Sequence, residues 1–318
     1  MGRRILCLGE LLIDFICADI DSSLVEGVNF IKKAGGAPAN VTAAISKLGG
    51  SATFGGSVGD DAFGVFLKKT LDDVGVDTSL MKLLEEQNTT LAFVSLKANG
   101  ERDFIFNRGA DENYVLTEEE ISALSEYKVV HFGSATALLG GELKATYLDA
   151  MKKAKELGLF ISFDPNYRTD LWKERVEEFI EVSRACVKGA DFIKVSDEEA
   201  KLLTGKENLE EAARELVTLG AKAVAITLGK EGTMITDGEN LEVIPSVKIK
   251  SLDSTGAGDA FVGAVLYRLA LEEDSKEAVA NFSKLKEIIH FGNKVGAIVC
   301  TKLGAIAALP TLEEVNNF

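Results

Sequence analysis

Short apolar runs separated by amphipathic helical stretches constrain the fold of this chain more than any other feature. The runs lie at Ile5–Leu8, Ala52–Val58, Val129–Phe132, Leu159–Phe163, Phe192–Val195 and Ala223–Leu228. The helical stretches between them lie at Pro38–Leu48, Ala62–Val74, Leu143–Leu157, Val176–Val187 and Leu209–Leu219. Strands that alternate with helices of this length form a mainly parallel sheet with helices on both faces. Because no repeat, low-complexity segment or linker interrupts the pattern, we expect one α/β domain over residues 1–318.

Two segments break this alternation. Phe15–Lys33 and Leu91–Asn107 have strand-like patterns with no helix between their own strands. The second contains Asn99-Gly100, which is a hairpin signal between two apolar segments. Such strands either extend the edges of the main sheet or form a small inserted sheet over its carboxyl edge. We expect the inserted sheet, which in that position would act as a lid.

A tight turn that leads into a helix is predicted at Asp253–Phe261. An alternating strand pattern at Val243–Ile249 precedes it, and apolar residues recur at helical spacing from Phe261 onward. Gly256 and Gly258 leave little side-chain bulk above the first backbone N–H groups of this helix. Those groups lack intrahelical acceptors, and the helix dipole adds partial positive charge. The turn is therefore suited to bind an anion such as a phosphate group.

Asp259 places a carboxylate in the same turn. If a hydroxyl group attacks a phosphoryl group bound there, Asp259 is placed to accept the hydroxyl proton. The neighbouring amides would stabilise negative charge on the phosphoryl oxygens. Taken alone, the motif is equally compatible with an acidic residue that caps a helix.

A second glycine-containing segment, Gly35–Ala44, suits a polyhydroxyl ligand. Gly35 and Gly36 allow a small polar molecule to approach the backbone, and Asn40 offers both a donor and an acceptor. Asp14, shortly after the first strand, can accept two hydrogen bonds from a vicinal diol. The simpler interpretations are an exposed helical asparagine and a solvated loop carboxylate.

Composition excludes several classes of protein. No segment approaches the roughly 18 uninterrupted apolar residues of a membrane helix, and no signal peptide is evident. The formal charge of −15 argues against a nucleic-acid partner. The cysteines show no metal-ligand spacing, which favours free thiols in a reducing compartment. We therefore expect a cytoplasmic protein that binds neither membranes nor nucleic acids.

The two motifs at Gly35–Asn40 and Asp253–Phe261 resemble the signatures of the ribokinase-like (PfkB) family of carbohydrate kinases. Gly9–Phe15 and Asp164–Arg168 resemble its fructokinase branch in particular. Arg108–Asp111 does so more loosely, because a proline that is usual in that stretch is absent. The resemblance covers essentially the whole chain. It implies a ribokinase-like fold and the ATP-dependent phosphorylation of a sugar hydroxyl.

The resemblance also implies roles for individual residues. It assigns the general base to Asp259 and the anion hole to the amides of Gly256, Ala257 and Gly258. The sugar contacts that it implies are Asp14, Gly35, Gly36, Asn40 and Arg168. The chain lacks a P-loop motif, and the nucleotide contacts implied instead are Thr227, Gly229, Gly232 and Asn293, the last on a helix ending near Val295. Without the resemblance, Thr227–Gly232 is a plain hairpin connection.

The resemblance also implies that the protein binds two kinds of cation. Glu199 would act on Mg²⁺ through a metal-bound water, although Ser196 replaces the asparagine that is frequent in the family. Without the resemblance, this acidic cluster is a helix N-terminus with favourable charges. A monovalent cation such as K⁺ would lie near Asp253 and the carbonyl groups of Thr255, Val299, Lys302 and Gly304.

Several functions remain open at this point. We favour phosphorylation of the 6-hydroxyl of D-fructose, because Asp14 would repel an acidic sugar. A 2-keto-3-deoxygluconate kinase is the alternative, since the guanidinium of Arg168 also suits a carboxylate. A sugar sensor without catalytic activity is a third possibility on the same fold. A dinucleotide-binding dehydrogenase is disfavoured because G-x-G-x-x-G does not follow the first strand. An exposed face of the lid could also pair two subunits into a homodimer.

Overall fold

A nine-stranded sheet lies at the centre of the computed structural model, which describes residues 3–96 and 102–318. Its strands are β1 (Arg4–Leu8), β4 (Ser51–Gly59), β5 (Asp77–Leu84), β8 (Val129–Phe132), β9 (Phe160–Phe163), β10 (Phe192–Ser196), β11 (Ala223–Thr227), β12 (Thr233–Thr236) and β13 (Leu241–Ile244). The spatial order is β13-β12-β11-β10-β9-β8-β1-β4-β5. All neighbouring pairs are parallel except those made by β12 and β13. The predicted mainly parallel sheet is confirmed.

Helices cover both faces of this sheet. They are α1 (Ala37–Lys47), α2 (Ala62–Asp73), α3 (Glu118–Ser122), α4 (Gly141–Glu156), α5 (Thr169–Trp172), α6 (Val176–Val187), α7 (Asp197–Thr204), α8 (Leu209–Thr218), α9 (Ala257–Leu271), α10 (Ser275–Ala280), α11 (Phe282–Val299) and α12 (Leu312–Asn317). The predicted helices agree with these bounds within two residues at each end, except that the helix of Asn293 was expected to end near Val295 and continues to Val299. In the described part of the chain, no helix has the length and apolar character needed to cross a bilayer.

Burial on both faces explains why the strands read as continuous apolar runs. In β1, Ile5 and Cys7 pack on one side with α1, α9 and α11. Leu6 and Leu8 pack on the other side with α4, α6 and α8. Successive side chains of a strand point to opposite faces, so a strand covered on both faces must be apolar at nearly every position.

A separate four-stranded sheet contains the two segments that break the alternation. Its strands, in the spatial order β3-β2-β6-β7, are β2 (Leu12–Cys17), β3 (Phe30–Gly35), β6 (Leu91–Leu96) and β7 (Arg102–Asn107). The pairs β2–β3 and β6–β7 are antiparallel, and a parallel β2–β6 pair joins them. This arrangement confirms the inserted sheet. The hairpin signal Asn99-Gly100 lies outside the described residues.

The strand predicted at Val243–Ile249 is wrong beyond its first two residues. The strand ends at Ile244, and no regular element follows until α9 begins at Ala257. Pro245 cannot donate a ladder hydrogen bond. The carbonyl groups of Ile244 and Pro245 instead accept hydrogen bonds from Asn293 Nδ2, at 3.0 and 3.4 Å. A side chain of α11 therefore binds the backbone at the point where the strand ends.

The helices α1 and α9 cross at very close range. A Cβ atom on Gly263 of α9 would lie 2.6 Å from the Ala44 Cβ and 2.9 Å from the Val41 carbonyl oxygen of α1. Such distances are too short for any side chain larger than hydrogen. Gly263 therefore sets the separation of the two helices whose N-terminal ends carry Asn40 and Asp259.

We expect Gly263→Ala to lower the free energy of unfolding by about 1–3 kcal/mol, the usual cost of overpacking. This cost outweighs the better helix propensity of alanine, worth up to about 1 kcal/mol. Gly189→Ala is the matched control, because its added methyl would lie 3.5 Å from the Cys186 carbonyl oxygen, an ordinary contact. Urea denaturation gives the free energies of unfolding of the parent, Gly263→Ala and Gly189→Ala. Equal stability of Gly263→Ala and the parent would contradict the close crossing.

Candidate active site

The N-termini of α1 and α9 meet at the carboxyl edge of the main sheet. Asn40 lies just beyond the first turn of α1, and Asp259 lies in the first turn of α9. Asn40 Nδ2 donates a hydrogen bond of 2.8 Å to Asp259 Oδ2. Two residues that are 219 positions apart in the chain therefore form one polar pair.

The turn predicted to lead into a helix is present before α9, which begins at Ala257. Gly256 is the N-cap residue, with φ of +75°, and a Cβ there would lie 2.6 Å from the Ala305 Cβ. A Cβ on Gly258 would lie 3.5 Å from Lys194 Nζ, so an ammonium group lies beside the turn. The Ala257 N–H donates to the Ser254 carbonyl oxygen at 3.2 Å. In this conformation, the Ala257 amide therefore has a partner within the protein.

Asp259 is a buried carboxylate with an altered basicity. Burial raises the pKa of Asp259 above its ordinary value. The hydrogen bond from Asn40 and the charges of Lys194 and Arg168 act in the opposite direction, while Asp164 adds to the increase. A carboxylate with a raised pKa is a better proton acceptor, as a general base requires.

Lys194 and Asp164 form a buried ion pair that the sequence analysis missed. Lys194 Nζ lies 3.0 Å from Asp164 Oδ2, and the two side chains are 10% and 1% exposed. Burial by itself would lower the pKa of Lys194, but the carboxylates of Asp164, Glu199 and Asp259 raise it above its ordinary value. The ammonium group therefore stays charged. A lysine inside the apolar run of β10 was the sequence signal that could have revealed it.

Asp14 lies on β2, inside the inserted sheet, and its carboxylate occupies the space that a side chain on Gly35 would need. A Cβ on Gly35 would lie 2.0 Å from Asp14 Oδ2. Burial raises the pKa of Asp14 to about 6, against the opposing charge of Arg168 and with a contribution from Asp259. The charges of Asp14, Arg168 and Asp259 therefore influence one another.

Two of the predicted site residues have hydrogen-bonding capacity that the protein leaves unused. Asn40 is 7% exposed, and its Oδ1 atom has no hydrogen-bond partner within the described chain. A buried acceptor without a donor is costly, so a ligand hydroxyl or a water is expected to bind there. The exposed guanidinium of Arg168 donates to the Tyr167 carbonyl oxygen at 3.0 Å and to Asn166 Oδ1 at 3.4 Å. Further donors of Arg168 remain available.

The predicted nucleotide residues separate into two groups. Thr227 ends β11, and the 3₁₀ turn Gly229–Glu231 follows it, with φ of +57° at Gly229 and +114° at Gly232. This backbone connects the antiparallel strands β11 and β12. Asn293 is buried on α11, where its Oδ1 accepts from Thr233 Oγ1 at 2.6 Å and its Nδ2 donates to the β13 end. Its side chain is therefore already bound to the sheet edge.

Glu199 caps a helix in this structure. Its Oε2 atom accepts from the Ser196 N–H at 2.7 Å, and the Ser196 hydroxyl oxygen accepts from the Glu199 N–H at 3.1 Å. Its Oε1 atom accepts from the Tyr167 N–H at 2.7 Å. The capping alternative is thus realised. Within residues 3–96 and 102–318, no group of three or more His, Cys, Asp or Glu side chains is arranged to hold a metal ion.

Several of the residues expected around a monovalent cation contact one another. Asp253 accepts hydrogen bonds of 2.9 Å from the N–H groups of both Thr255 and Gly304. These bonds outweigh the effect of burial, so the pKa of Asp253 is lowered. Val299 ends α11, and its carbonyl oxygen accepts from the Lys302 N–H at 3.1 Å. The acidic group is therefore ionised beside the turn before α9.

Comparison with known proteins identifies relatives along the whole chain. Fructokinase-1 of Zea mays is 40% identical over 318 residues, which cover 99% of this chain and 97% of that protein. The crystal structure of fructokinase from Vibrio cholerae O395 in fructose, ADP and calcium ion bound form has a TM-score of 0.85 at 30% identity, covering 99% and 98% of the two chains.

The crystal structure of fructokinase with bound ATP from Xylella fastidiosa has a TM-score of 0.87 at 29% identity, covering 100% of this chain and 98% of that one. These likenesses confirm the ribokinase-like fold expected from the sequence. The family model described as pfkB family carbohydrate kinase matches residues 3–312. The chain therefore belongs to the pfkB family of carbohydrate kinases.

Proposed function

We propose that this kinase transfers the γ-phosphoryl group of ATP to the 6-hydroxyl of D-fructose. The observation that carries the proposal is the buried pair of Asp259 and Asn40 at the anion-binding turn, with the acceptor Asn40 Oδ1 unpartnered. Asp14 adds a second hydroxyl-binding group to the same space. The relatives named fructokinase, including one structure that holds fructose and ADP, support the choice of sugar.

In the proposed reaction, Asp259 accepts the proton of the sugar hydroxyl while its oxygen attacks the γ-phosphorus. The bond between this phosphorus and the oxygen that bridges to the β-phosphate breaks, and ADP leaves with that electron pair. The amides of Gly256, Ala257 and Gly258 stabilise the phosphoryl oxygens, which requires the Ala257 N–H to exchange its present partner for the phosphate. The Lys194 ammonium adds a positive charge beside Gly258. The intact base and this cation speak against a sugar sensor without catalytic activity.

Discrimination among sugars follows from the charge of the site. Asp14 and the backbone of Gly35 and Gly36 offer hydrogen bonds to the hydroxyl groups of a neutral ketohexose. Arg168 would also suit the carboxylate of 2-keto-3-deoxygluconate. That carboxylate would, however, enter a site that already contains Asp14 and Asp259. We therefore favour fructose, because repulsion between like charges rejects the acidic sugar.

The nucleotide and its cations complete the proposal. Thr227, Gly229, Gly232 and Asn293 would line the nucleotide site. Each carboxylate oxygen of Glu199 accepts one N–H and retains a free lone pair. Glu199 can therefore bind a water molecule that is coordinated to Mg²⁺, and the ion would neutralise phosphate charge. Asp253 with the carbonyl groups of Thr255, Val299, Lys302 and Gly304 would hold K⁺.

A Glu199→Gln variant with an unchanged magnesium requirement would limit Glu199 to helix capping.

We further propose that the inserted sheet is a lid that closes over the sugar and pairs two subunits. Ile16 and Ile31 form a cross-strand pair on the Asp14 face of this sheet, and they are 38% and 50% exposed. Exposed aliphatic pairs of this kind suit a contact with a second copy. Slower hydrogen exchange in β2 and β3 on adding fructose supports closure, and unchanged exchange opposes it. Sedimentation at working concentration tests the homodimer.

A side-by-side assay of sugars tests the substrate. With ATP and Mg²⁺, we expect kcat/KM for fructose to exceed that for 2-keto-3-deoxygluconate clearly, and the product to be fructose 6-phosphate. Arg168→Ala should weaken the use of fructose without creating a preference for acidic sugars. Higher kcat/KM for 2-keto-3-deoxygluconate would show that Arg168 binds a carboxylate and that the choice of fructose is wrong.

The pH dependence of sugar binding tests the role of Asp14. Because burial raises the pKa of Asp14 to about 6, its carboxylate is ionised above that pH and protonated below it. Protonation removes acceptor capacity, so the KM for fructose should rise as the pH falls through about 6. In Asp14→Asn, KM should be higher and nearly independent of pH. The comparison uses KM rather than kcat, because kcat would also depend on the protonation of the proposed base, Asp259. A parental KM that is flat between about pH 5 and 8 would exclude this role.

A further inference from the structure

Glu10 is a buried carboxylate that takes no part in the proposed reaction. It lies between β1 and β2 and is 1% exposed. Its Oε1 atom accepts from the Ala37 N–H at 3.1 Å and from the Ala135 N–H at 3.3 Å. Its Oε2 atom accepts from the hydroxyls of Ser134 and of Thr136, the latter at 3.4 Å. No ion pair of Glu10 occurs among the described residues. Four hydrogen bonds, rather than a cation, thus satisfy this carboxylate.

The contact with Ala37 is a helix cap supplied from another part of the chain. The N-cap residue of α1 is Gly36, which has no side chain to bind the first N–H groups. The N-termini of α2 and α8, in contrast, are capped by their own Asp61 and Asn208 side chains. Glu10 therefore supplies, from outside α1, the side-chain hydrogen-bond acceptor that the N-cap residue lacks. Its charge also lies at the positive end of the α1 dipole.

Geometry explains why Gly36 cannot provide this cap itself. Its φ is +109°, and a Cβ there would lie 2.4 Å from the Glu10 carbonyl oxygen. The glycine pair also leaves the backbone open to a ligand. The ligand side needs a backbone without side chains, and α1 needs a fixed start. The carboxylate of Glu10 fixes that start from the protein interior.

We propose that Glu10 is a positioning residue that fixes the start of α1, and with it Asn40, for sugar binding. The Asn40 N–H donates to the Gly36 carbonyl oxygen at 3.0 Å, so the first turn transmits any shift at Gly36 and Ala37 to Asn40. Asn40 in turn bonds Asp259. This inference rests on the proposed function, because the sugar is the ligand that Asn40 and the glycine pair would bind.

The same carboxylate holds the loop that follows β8. Ser134 and Thr136 donate to Glu10 there. The Thr136 carbonyl oxygen accepts from Arg108 Nη2 at 3.0 Å, next to the end of β7 in the inserted sheet. Glu10 thereby joins the sugar-binding turn to a loop that contacts the base of the lid.

Two conservative variants separate the length of the Glu10 side chain from its charge. Glu10→Asp keeps the charge but is one methylene too short to contact Ala37 and Ser134 together. We expect it to raise the KM for fructose by about tenfold, the effect of losing one cap. The KM for ATP and kcat should stay within about threefold of the parent. Hydrogen exchange at the first amides of α1 should become faster.

Glu10→Gln keeps the length and loses the charge. Its amide oxygen can accept from the Ala37 and Ala135 N–H groups and so keeps the cap of α1. Its NH₂ group can donate to the Thr136 hydroxyl oxygen but cannot accept from the Ser134 hydroxyl, so the loss falls on the loop after β8 rather than on α1. We expect a KM for fructose within about threefold of the parent, and near-parental exchange in α1. A parental KM for fructose in Glu10→Asp together with a raised KM in Glu10→Gln would overturn the proposal. It would show that the charge of Glu10 matters and that its length does not.

Asn208→Ala is the matched control, because it removes the cap of α8 far from the site. It should lower the melting temperature without changing either KM. If Glu10→Asp raised both KM values and lowered kcat together, Glu10 would be a general structural residue and the proposal would fail. If the parent itself did not phosphorylate fructose, the proposed function would fail. The exchange rates of α1 would still decide whether Glu10 fixes this helix.

Discussion

The hydrogen bond between Asn40 and Asp259 is the interaction on which the rest of the site depends. It joins the N-termini of two helices that cross so closely that only glycine fits at Gly263. The crossing brings the segment proposed to bind the sugar and the turn proposed to bind phosphate together at Asn40 and Asp259. One oxygen of Asp259 is fixed by the Asn40 amide, and Asn40 Oδ1 is left unpartnered. A rigid scaffold thus holds an unsatisfied polar space, as a substrate site requires.

A carboxylate beside an anion site creates a conflict of charges that the surroundings resolve. Burial raises the pKa of Asp259, and the ammonium of Lys194 lies beside the same turn. Lys194 is itself held by Asp164 at 3.0 Å, in a cluster that the apolar sheet excludes from solvent. In such surroundings electrostatic interactions are stronger than in water. A carboxylate with a raised pKa and an ammonium group therefore lie beside the same turn.

Much of the fold was predictable from the sequence, because it depends on local patterns. Continuous apolar runs predicted the buried parallel strands, and the glycine-containing segments predicted the starts of α1 and α9. Residues whose role depends on distant partners were missed: Lys194 is defined by Asp164, and Glu10 by backbone groups near residues 37 and 135. The predicted strand ended early at Pro245, which cannot donate a ladder hydrogen bond and whose carbonyl group accepts from Asn293 of α11 instead. Local periodicity contains no information on such pairings.

The turnover of Asp259→Asn tests the central claim most directly, because asparagine keeps the shape and removes the basicity. We expect kcat for fructose phosphorylation to fall by about 10²–10⁴-fold, the usual range for loss of a general base. ATP affinity by calorimetry and the melting temperature should remain near those of the parent. Near-parental turnover in the purified, folded variant would contradict the account and would leave Asp259 as a helix-capping residue.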